Sequence, residues 1–151
     1  MQSKKKAPKN TVALQLQSAR DLFRVGLPHA IGVRPVTVTQ KKITATLRVK
    51  PMHLNRNRHV GGGVLMTMAD VMGAAGGVAN RPLNYTGGTI ESKTNFFGAA
   101  RGPVLTAVCV PLHRGRSTTV WQTTIRNPDG RVVAIVTQTQ ITLLRKTESM
   151  S

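Results

Sequence analysis

Acidic side chains are what this chain most lacks: five Asp and Glu stand against 22 Lys and Arg in 151 residues, for a formal net charge of +17. Such a field draws polyanions, whether nucleic acid, anionic membrane or a phosphorylated small molecule. The charge is spread along the chain rather than gathered into a stripe, and no DNA- or RNA-binding motif or aromatic stacking platform accompanies it. Specific nucleic-acid recognition is therefore not expected. Cysteine is nearly absent as well: Cys109 alone excludes an internal disulfide framework and suits a reducing, cytoplasmic compartment. It lies in the apolar run "LTAVCVPL", where an inert buried thiol is expected, and no His or second Cys stands near enough to build a metal site. Aromatics are only 3% of residues, so the core must rest on Val, Leu, Ile, Met and Ala. The opening "MQSKKKAPKN" carries Lys4, Lys5, Lys6 and Lys9 with no hydrophobic run behind them, so it reads as a basic disordered tail and not as a secretory signal.

What is present fits one domain. Residues 1–10 are the tail, 11–147 the domain, and 148–151 a frayed end. Val12, Leu16, Ala19, Leu22 and Phe23 recur at helical spacing, which predicts a short amphipathic helix ending near Gly26. "IGVRPVTVTQ" and "KITATLRVKP" alternate apolar and polar residues and are rich in β-branched side chains, so both are expected to be strands. Four more such runs follow residue 85: "TGGTIESKTNFF", "GPVLTAVCVPLHRG", "RSTTVWQTTIRN" and "GRVVAIVTQTQITLL". "HRGR" supplies a hairpin loop and "NPDG" a tight turn.

Between the two sets of strands, residues 61–80 are apolar on every side, and an all-round apolar helix is expected to be buried. Gly73, Gly76 and Gly77 cost it helix propensity, about 1 kcal/mol each relative to Ala, which makes sense where other backbone comes very close. The segment is short for a membrane span. Helix, two strands, long helix and four strands, without βαβ alternation, predict an α+β fold in which one antiparallel sheet curls around the central helix. One of the five acids, Asp70, sits in the middle of that helix, where a carboxylate is most costly.

These residues resemble the hotdog-fold acyl-CoA thioesterases of the phenylacetate-degradation type. The signature of that family is Asn, six residues on His-Gly-Gly, then Asp nine residues after the His. Here Asn55 stands six residues before Gly61, Gly62 and Gly63 match the glycine pair, and Asp70 lies nine after Gly61. Thr89 in "GTIESKTNFFGAARG" matches the Ser or Thr that the family places by its catalytic water, and "HRGRST" and "NPDGRVVA" resemble later strand–turn pieces. The likeness covers roughly residues 20–145. One position departs: Gly61 stands where the family has His, and His59 lies two residues earlier.

The resemblance implies a curved antiparallel sheet wrapped around one long helix, thioester hydrolysis with coenzyme A thioester as substrate and no cofactor, and two sites across a two-fold homodimer or a dimer of dimers. Thioester hydrolysis needs donors for the carbonyl oxygen, a base or nucleophile, and a held water. Gly62, helped by Gly63, would supply amides at a helix N-terminus. Asp70 would be base or nucleophile, its pKa raised by apolar burial and lowered by amides and hydroxyls. Thr89 would orient the water, and Asn55 would bond the thioester or order its loop. Gly62 and Asp70 are eight residues apart, about 12 Å along one helix, so a single scissile carbon meets both only if two subunits contribute. Arg114, Arg116 and Ser117 form a loop suited to coenzyme A phosphates, although a basic hairpin tip is also what a solvated turn looks like.

Two other readings stand beside this one. With the motif His absent, the protein would bind acyl-CoA without hydrolysing it. Alternatively, the Lys-rich tail and the general charge would bind nucleic acid or an acidic partner, with steep salt dependence. A hydratase is disfavoured, because no Asp–His pair has the spacing of that branch. His29, His53 and His113 carry no usable pattern, Glu91 is expected on the same strand face as Thr89 in a salt bridge to a nearby Arg, and Trp121, Met66, Met68 and Met72 are expected to pack in core or interface.

Overall fold

Alternating apolar residues in six segments build one antiparallel sheet. In the computed structural model, which describes residues 9–146, the strands are β1 (Val33–Val38), β2 (Ile43–Arg48), β3 (Tyr85–Phe96), β4 (Val104–Arg114), β5 (Thr118–Arg126) and β6 (Val132–Leu144). They lie in the order β1-β2-β4-β5-β6-β3, so β3 leaves its sequence neighbours and forms the far edge. Pro35 is tolerated because β1 is the opposite edge, and the register slips between Pro35 and Thr37. The "NPDG" turn closes through the Gly130 amide on the Asn127 carbonyl at 2.9 Å, with Gly130 at φ 85°.

The first helix, α1 (Lys9–Asp21), begins inside the stretch read as tail, so Lys9 and Asn10 are helical. The rest of the expected tail and the frayed end at 148–151 lie outside the described residues. The chain also does not stop being helical at Gly26. After a 3-10 turn at Leu22–Arg24 it re-enters a helix, α2 (Gly26–Ala30), with Gly26 at φ 64° as the pivot.

The long helix α3 (Gly62–Asn80) lies on the concave face of the sheet, packed against β2 to β6 and, on its flank, α1. Leu65, Met68, Val71, Met72 and Ala75 enter a core with Phe23, Ile43, Leu47, Leu105, Trp121 and Ile125. At 19 residues α3 is just long and apolar enough to cross a membrane by length and composition alone; in this fold its apolar side is spent on the sheet. The glycines are explained by close approach, but to side chains rather than backbone. A Cβ at Gly76 would lie 2.4 Å from the Trp121 indole, one at Gly77 3.1 Å from Gln140, and one at Gly73 would overlap the Gln138 amide.

Candidate active site on the open face of the central helix

α3 is not buried on all sides. Gly63, Met66 and Asp70 are exposed and Thr67, Ala74 and Val78 half-buried, a spacing of three and four that marks one open stripe. Asp70 lies in the middle of this stripe, so the buried carboxylate expected from the sequence is instead exposed in the single chain. Its Oδ1 accepts a hydrogen bond from Gln138 Nε2 of β6 at 3.1 Å. Gln138 is itself 1% exposed, and its Oε1 has no partner among the described residues. A buried amide thus holds an exposed acid from below, which fixes where the carboxylate points.

Thr89 of β3 belongs to the same edge. Gln140 Nε2 donates to Thr89 Oγ1 at 2.8 Å, and Gln140 is the next inward residue after Gln138 on β6. Residues two apart on a strand are about 7 Å apart, so the two glutamines carry Asp70 and Thr89 side by side along one groove between α3 and β3. Glu91 does not share the Thr89 face. The register slips between them, so Thr89 opposes Gln140 while Glu91 opposes the outward Thr139. Glu91 also forms no salt bridge; Arg24–Asp21 at 3.0 Å is the one ion pair among the described residues.

The remaining motif residues gather at the other end of α3. Gly61 caps the helix with φ −63° and ψ 146°, its amide bonded to the His53 carbonyl at 2.9 Å. Gly63 has nothing within 4 Å of where a Cβ would stand, whereas the Phe96 ring lies 3.0 Å from that point at Gly62. Asn55 Oδ1 is committed to its own loop, accepting from the amides of Asn57 at 2.9 Å and His59 at 3.2 Å, so Asn55 visibly orders the loop. His59 is half-buried on that loop but does not line the adjoining groove, a hollow of about 540 Å³ walled by Leu27, Ile31, His53, Leu54, Val64 and Thr67, with Asn55, Gly61 and Gly63 at its margin.

His53 is the histidine in that groove, and no pattern in the sequence marked it. Its Nδ1 accepts the Lys50 amide at 2.9 Å, and its Nε2 is 2.8 Å from the Ile31 carbonyl. Only the neutral Nε2–H tautomer satisfies both contacts, so the ring ties α2 to the loop and adds no charge to the hollow. Gln138 and Gln140 also escaped the sequence reading. Their signal was there: in "VTQTQIT" they fall on the inward phase set by Val136, where a buried polar residue demands a partner.

Arg114, Arg116 and Ser117 form the exposed β4–β5 hairpin, which folds over the C-terminal end of α3 with Arg114 Nη1 3.4 Å from Asn80 Oδ1. Burial pushes the Cys109 thiol up to about 12, and the residue sits at 0% exposure between strands, consistent with an inert core thiol. No group of three or more potential metal ligands exists among the described residues.

Residues 57–134, about half of the chain, match the thioesterase superfamily. An inferred esterase of Vibrio cholerae serotype O1 is 33% identical over 101 residues, so the match spans 65% of this chain and 65% of that relative. A thioesterase family protein from Silicibacter pomeroyi superposes with a TM-score of 0.81 at 22% identity, over 87% of this chain and 99% of its own. A thioesterase from Haemophilus influenzae does so at 0.79 and 20%, over 89% and 94%. At those identities the solved structures speak for the fold, which is the hotdog fold the motifs implied. With half of its length matching the family and its sheet and central helix superposing on these structures, the chain belongs to the thioesterase superfamily.

Proposed function

We propose that this protein hydrolyses acyl-CoA thioesters, medium-chain or aryl ones, at two sites formed across a homodimer, in the manner of the phenylacetate-degradation type. The observation that carries the reading is Asp70 on the open stripe of α3, oriented by Gln138 from the core. A carboxylate held at the centre of an apolar stripe suits a base or nucleophile better than a surface charge, because nothing beside it neutralises it.

A second copy supplies what one chain lacks. Gly62 and Asp70 are eight residues apart, about 12 Å along α3. In the proposed dimer Asp70 and Thr89 face the partner subunit's Gly62 and the partner subunit's Asn55. Exposed apolar side chains support the assembly: Ile90 at 60%, Phe96 at 52%, Phe97 at 61% and Met66 at 43% lie along β3 and the stripe. β3 is a twelve-residue sheet edge with open backbone groups, and an edge so long and apolar invites pairing. The thioester carbonyl would sit on the α3 amides at Gly62 and Gly63, and the acyl group in the adjoining hollow. About 540 Å³ with no charged wall suits a neutral medium-chain or aryl acyl group. Asp70 would draw a proton from the water held by Thr89, and the coenzyme A thiolate would leave. Arg114 and Arg116 would meet phosphates.

The test is thiol release from octanoyl-CoA and phenylacetyl-CoA by the wild type, Asp70→Asn and Asn55→Ala. Asp70→Asn should lose roughly 10²- to 10⁴-fold in kcat while staying folded and dimeric. Mixing the two variants under conditions that exchange subunits should restore about one quarter of wild-type activity, since half of the dimers then hold one intact site of two. No restoration, with exchange verified, would refute the shared site. An Asp70→Asn protein as active as the wild type would refute the role of the carboxylate.

A further inference from the structure

Thr89 also borders a crevice of about 160 Å³ between α3 and β3 that reaches Arg81, just past the end of the helix. Its walls include Gly87, Gly88, Thr89, Gln140 and Thr142. The Arg81 guanidinium lies across β3, with Nη1 3.3 Å from where a Gly87 Cβ would stand. Gly87 itself is required by the Ile141 carbonyl, so the chain leaves bare backbone where the cation rests.

No partner among the described residues explains this cation as a structural group. A cation after a helix commonly bonds the last carbonyls, but the Arg81 guanidinium bonds none of them, and three already have other donors. Asn80 Nδ2 donates to the Gly76 carbonyl at 2.9 Å, the Arg81 amide to Gly77 at 3.1 Å, and Gln40 Nε2 to Ala79 at 3.0 Å. The Arg81 carbonyl is met by Gln15. The guanidinium has neither a hydrogen bond nor a carboxylate among the described residues. Its neighbour is instead another cation: burial, then the Arg145 charge, holds Arg81 below the usual arginine range. Among the described residues, Arg81 is the one cation lining the crevice. An unpaired, partly buried guanidinium with a second cation beside it is destabilised when the crevice is empty, and one bound anion relieves both the repulsion and the missing partner.

We propose that Arg81, backed by Arg145, is an anion-recognition residue that takes a phosphate or carboxylate group of the substrate in this crevice. The space equals roughly five waters at ~30 Å³ each, enough for one such group with its remaining hydration. The inference rests on the hydrolase reading for the identity of the anion, which is either a coenzyme A phosphate or a carboxylate at the far end of the acyl group. It does not rest on that reading for the site.

Binding of pyrophosphate and of glutarate to the full chain, by calorimetry at low salt, tests the site without catalysis. Arg81→Gln should weaken one of them about ten-fold or more, Arg81→Lys should weaken it less, and Arg131→Gln, far from the crevice, should leave it unchanged. Kinetics then separate the sources. If the anion is a phosphate, Arg81→Gln raises KM about ten-fold for octanoyl-CoA and not for octanoyl-pantetheine. If it is an acyl carboxylate, the wild type prefers suberoyl-CoA to octanoyl-CoA and Arg81→Gln loses that preference. Equal anion affinity in wild type and Arg81→Gln, or an equal loss in Arg131→Gln, overturns the proposal. Arg81-dependent anion binding in a protein that turns over no thioester keeps the site and removes the hydrolase reading.

Discussion

Replacing Gly76 by Ala should destabilise this protein, although alanine is the better helix former. The added Cβ would stand 2.4, 2.5 and 2.7 Å from three indole carbons of Trp121, where ordinary contacts begin near 3.4 Å. Trp121 is 0% exposed and tethered by its Nε1–H to Thr119 Oγ1 at 2.9 Å, so a retreat of about 1 Å has to be absorbed by the core. Overpacking of this kind costs about 1–3 kcal/mol. Helix propensity returns about 0.5–1 kcal/mol. The net loss is about 1 kcal/mol at the middle of those ranges and at most about 2.5 kcal/mol, which lowers Tm by roughly 2–10 °C for a domain of this size.

Gly63→Ala is the control in the same helix. Nothing lies within 4 Å of its Cβ, so the propensity gain is unopposed and Tm should rise by roughly 1–4 °C. Both variants are melted at one protein concentration, because the Tm of an oligomer moves with concentration. Trp121 is the only tryptophan, so its emission reports the displacement directly and should redden in Gly76→Ala alone. The two variants also separate stability from activity: Gly63→Ala should melt higher yet release thiol more slowly, since its methyl group occupies the approach to the helix amides. A Gly76→Ala protein that melts at or above the wild type would refute the close-packing account of the glycines.

Gln138→Leu keeps the buried volume near its original value but removes the donor to Asp70, so kcat should fall about ten-fold or more with the fold retained; unchanged kcat would show that Asp70 needs no such support. Gly61→His should fold normally, because φ −63° and ψ 146° suit any residue and its Cβ meets only the His53 carbonyl at 3.6 Å; it should raise kcat if an imidazole beside the α3 amides is what the site lacks, and identical kcat would refute that. The Cys109 thiol, raised from 9.0 to about 12 by burial, stays protonated in the fold while the unfolded chain ionises above pH 9. Stability measured against Cys109→Ser should therefore be unaffected by this group below pH 9 and fall by about 1.4 kcal/mol per pH unit between 9 and 12; a flat difference would refute the burial.

The sheet was legible because its inner residues alternate with β-branched partners: five strands lie within the segments that alternation marks, and β3 begins one residue earlier, at Tyr85. The Thr89–Glu91 relation was not. A β-bulge adds one residue and reverses the face of everything beyond it, and "TIESK" carries no local mark of one, since the slip is imposed by pairing with β6. His53 was invisible for a similar reason: both of its partners are backbone groups, Lys50 N–H and the Ile31 carbonyl 22 residues away, and backbone groups have no signature in sequence. Gln138 differs. Its inward phase could be counted from Val136, and a buried amide implies a partner somewhere in the fold. The sequence offered one unpaired acid in the facing helix, so Gln138–Asp70 was within reach of reasoning that treated the two anomalies together.

The placement of Asp70 turns on what an all-round apolar helix means. Burial against one's own sheet accounts for Leu65, Met68, Met72 and Ala75, but Met66 is 43% exposed, and Val64 and Val78, which touch the core, are only half-buried. A helix with solvent as its permanent second neighbour would carry Lys, Glu or Gln there, and this chain, with 22 basic residues to place, puts none on α3. Apolar residues on both faces are consistent with two apolar neighbours, one of them outside the chain. On the proposed dimer the sequence reading of a buried Asp70 and the exposed Asp70 of the single chain are then the same observation at two levels of assembly. In that dimer the carboxylate would be exposed until the partner closes over it, and the closure would set its catalytic environment. Analytical ultracentrifugation at graded salt addresses this directly. Association through β3 and the apolar stripe should persist or strengthen as salt rises, because burial of Ile90, Phe96 and Met66 is not screened and the separation of two +17 chains is. A dimer that falls apart at high salt, or a monomer at all salts, would refute the shared site.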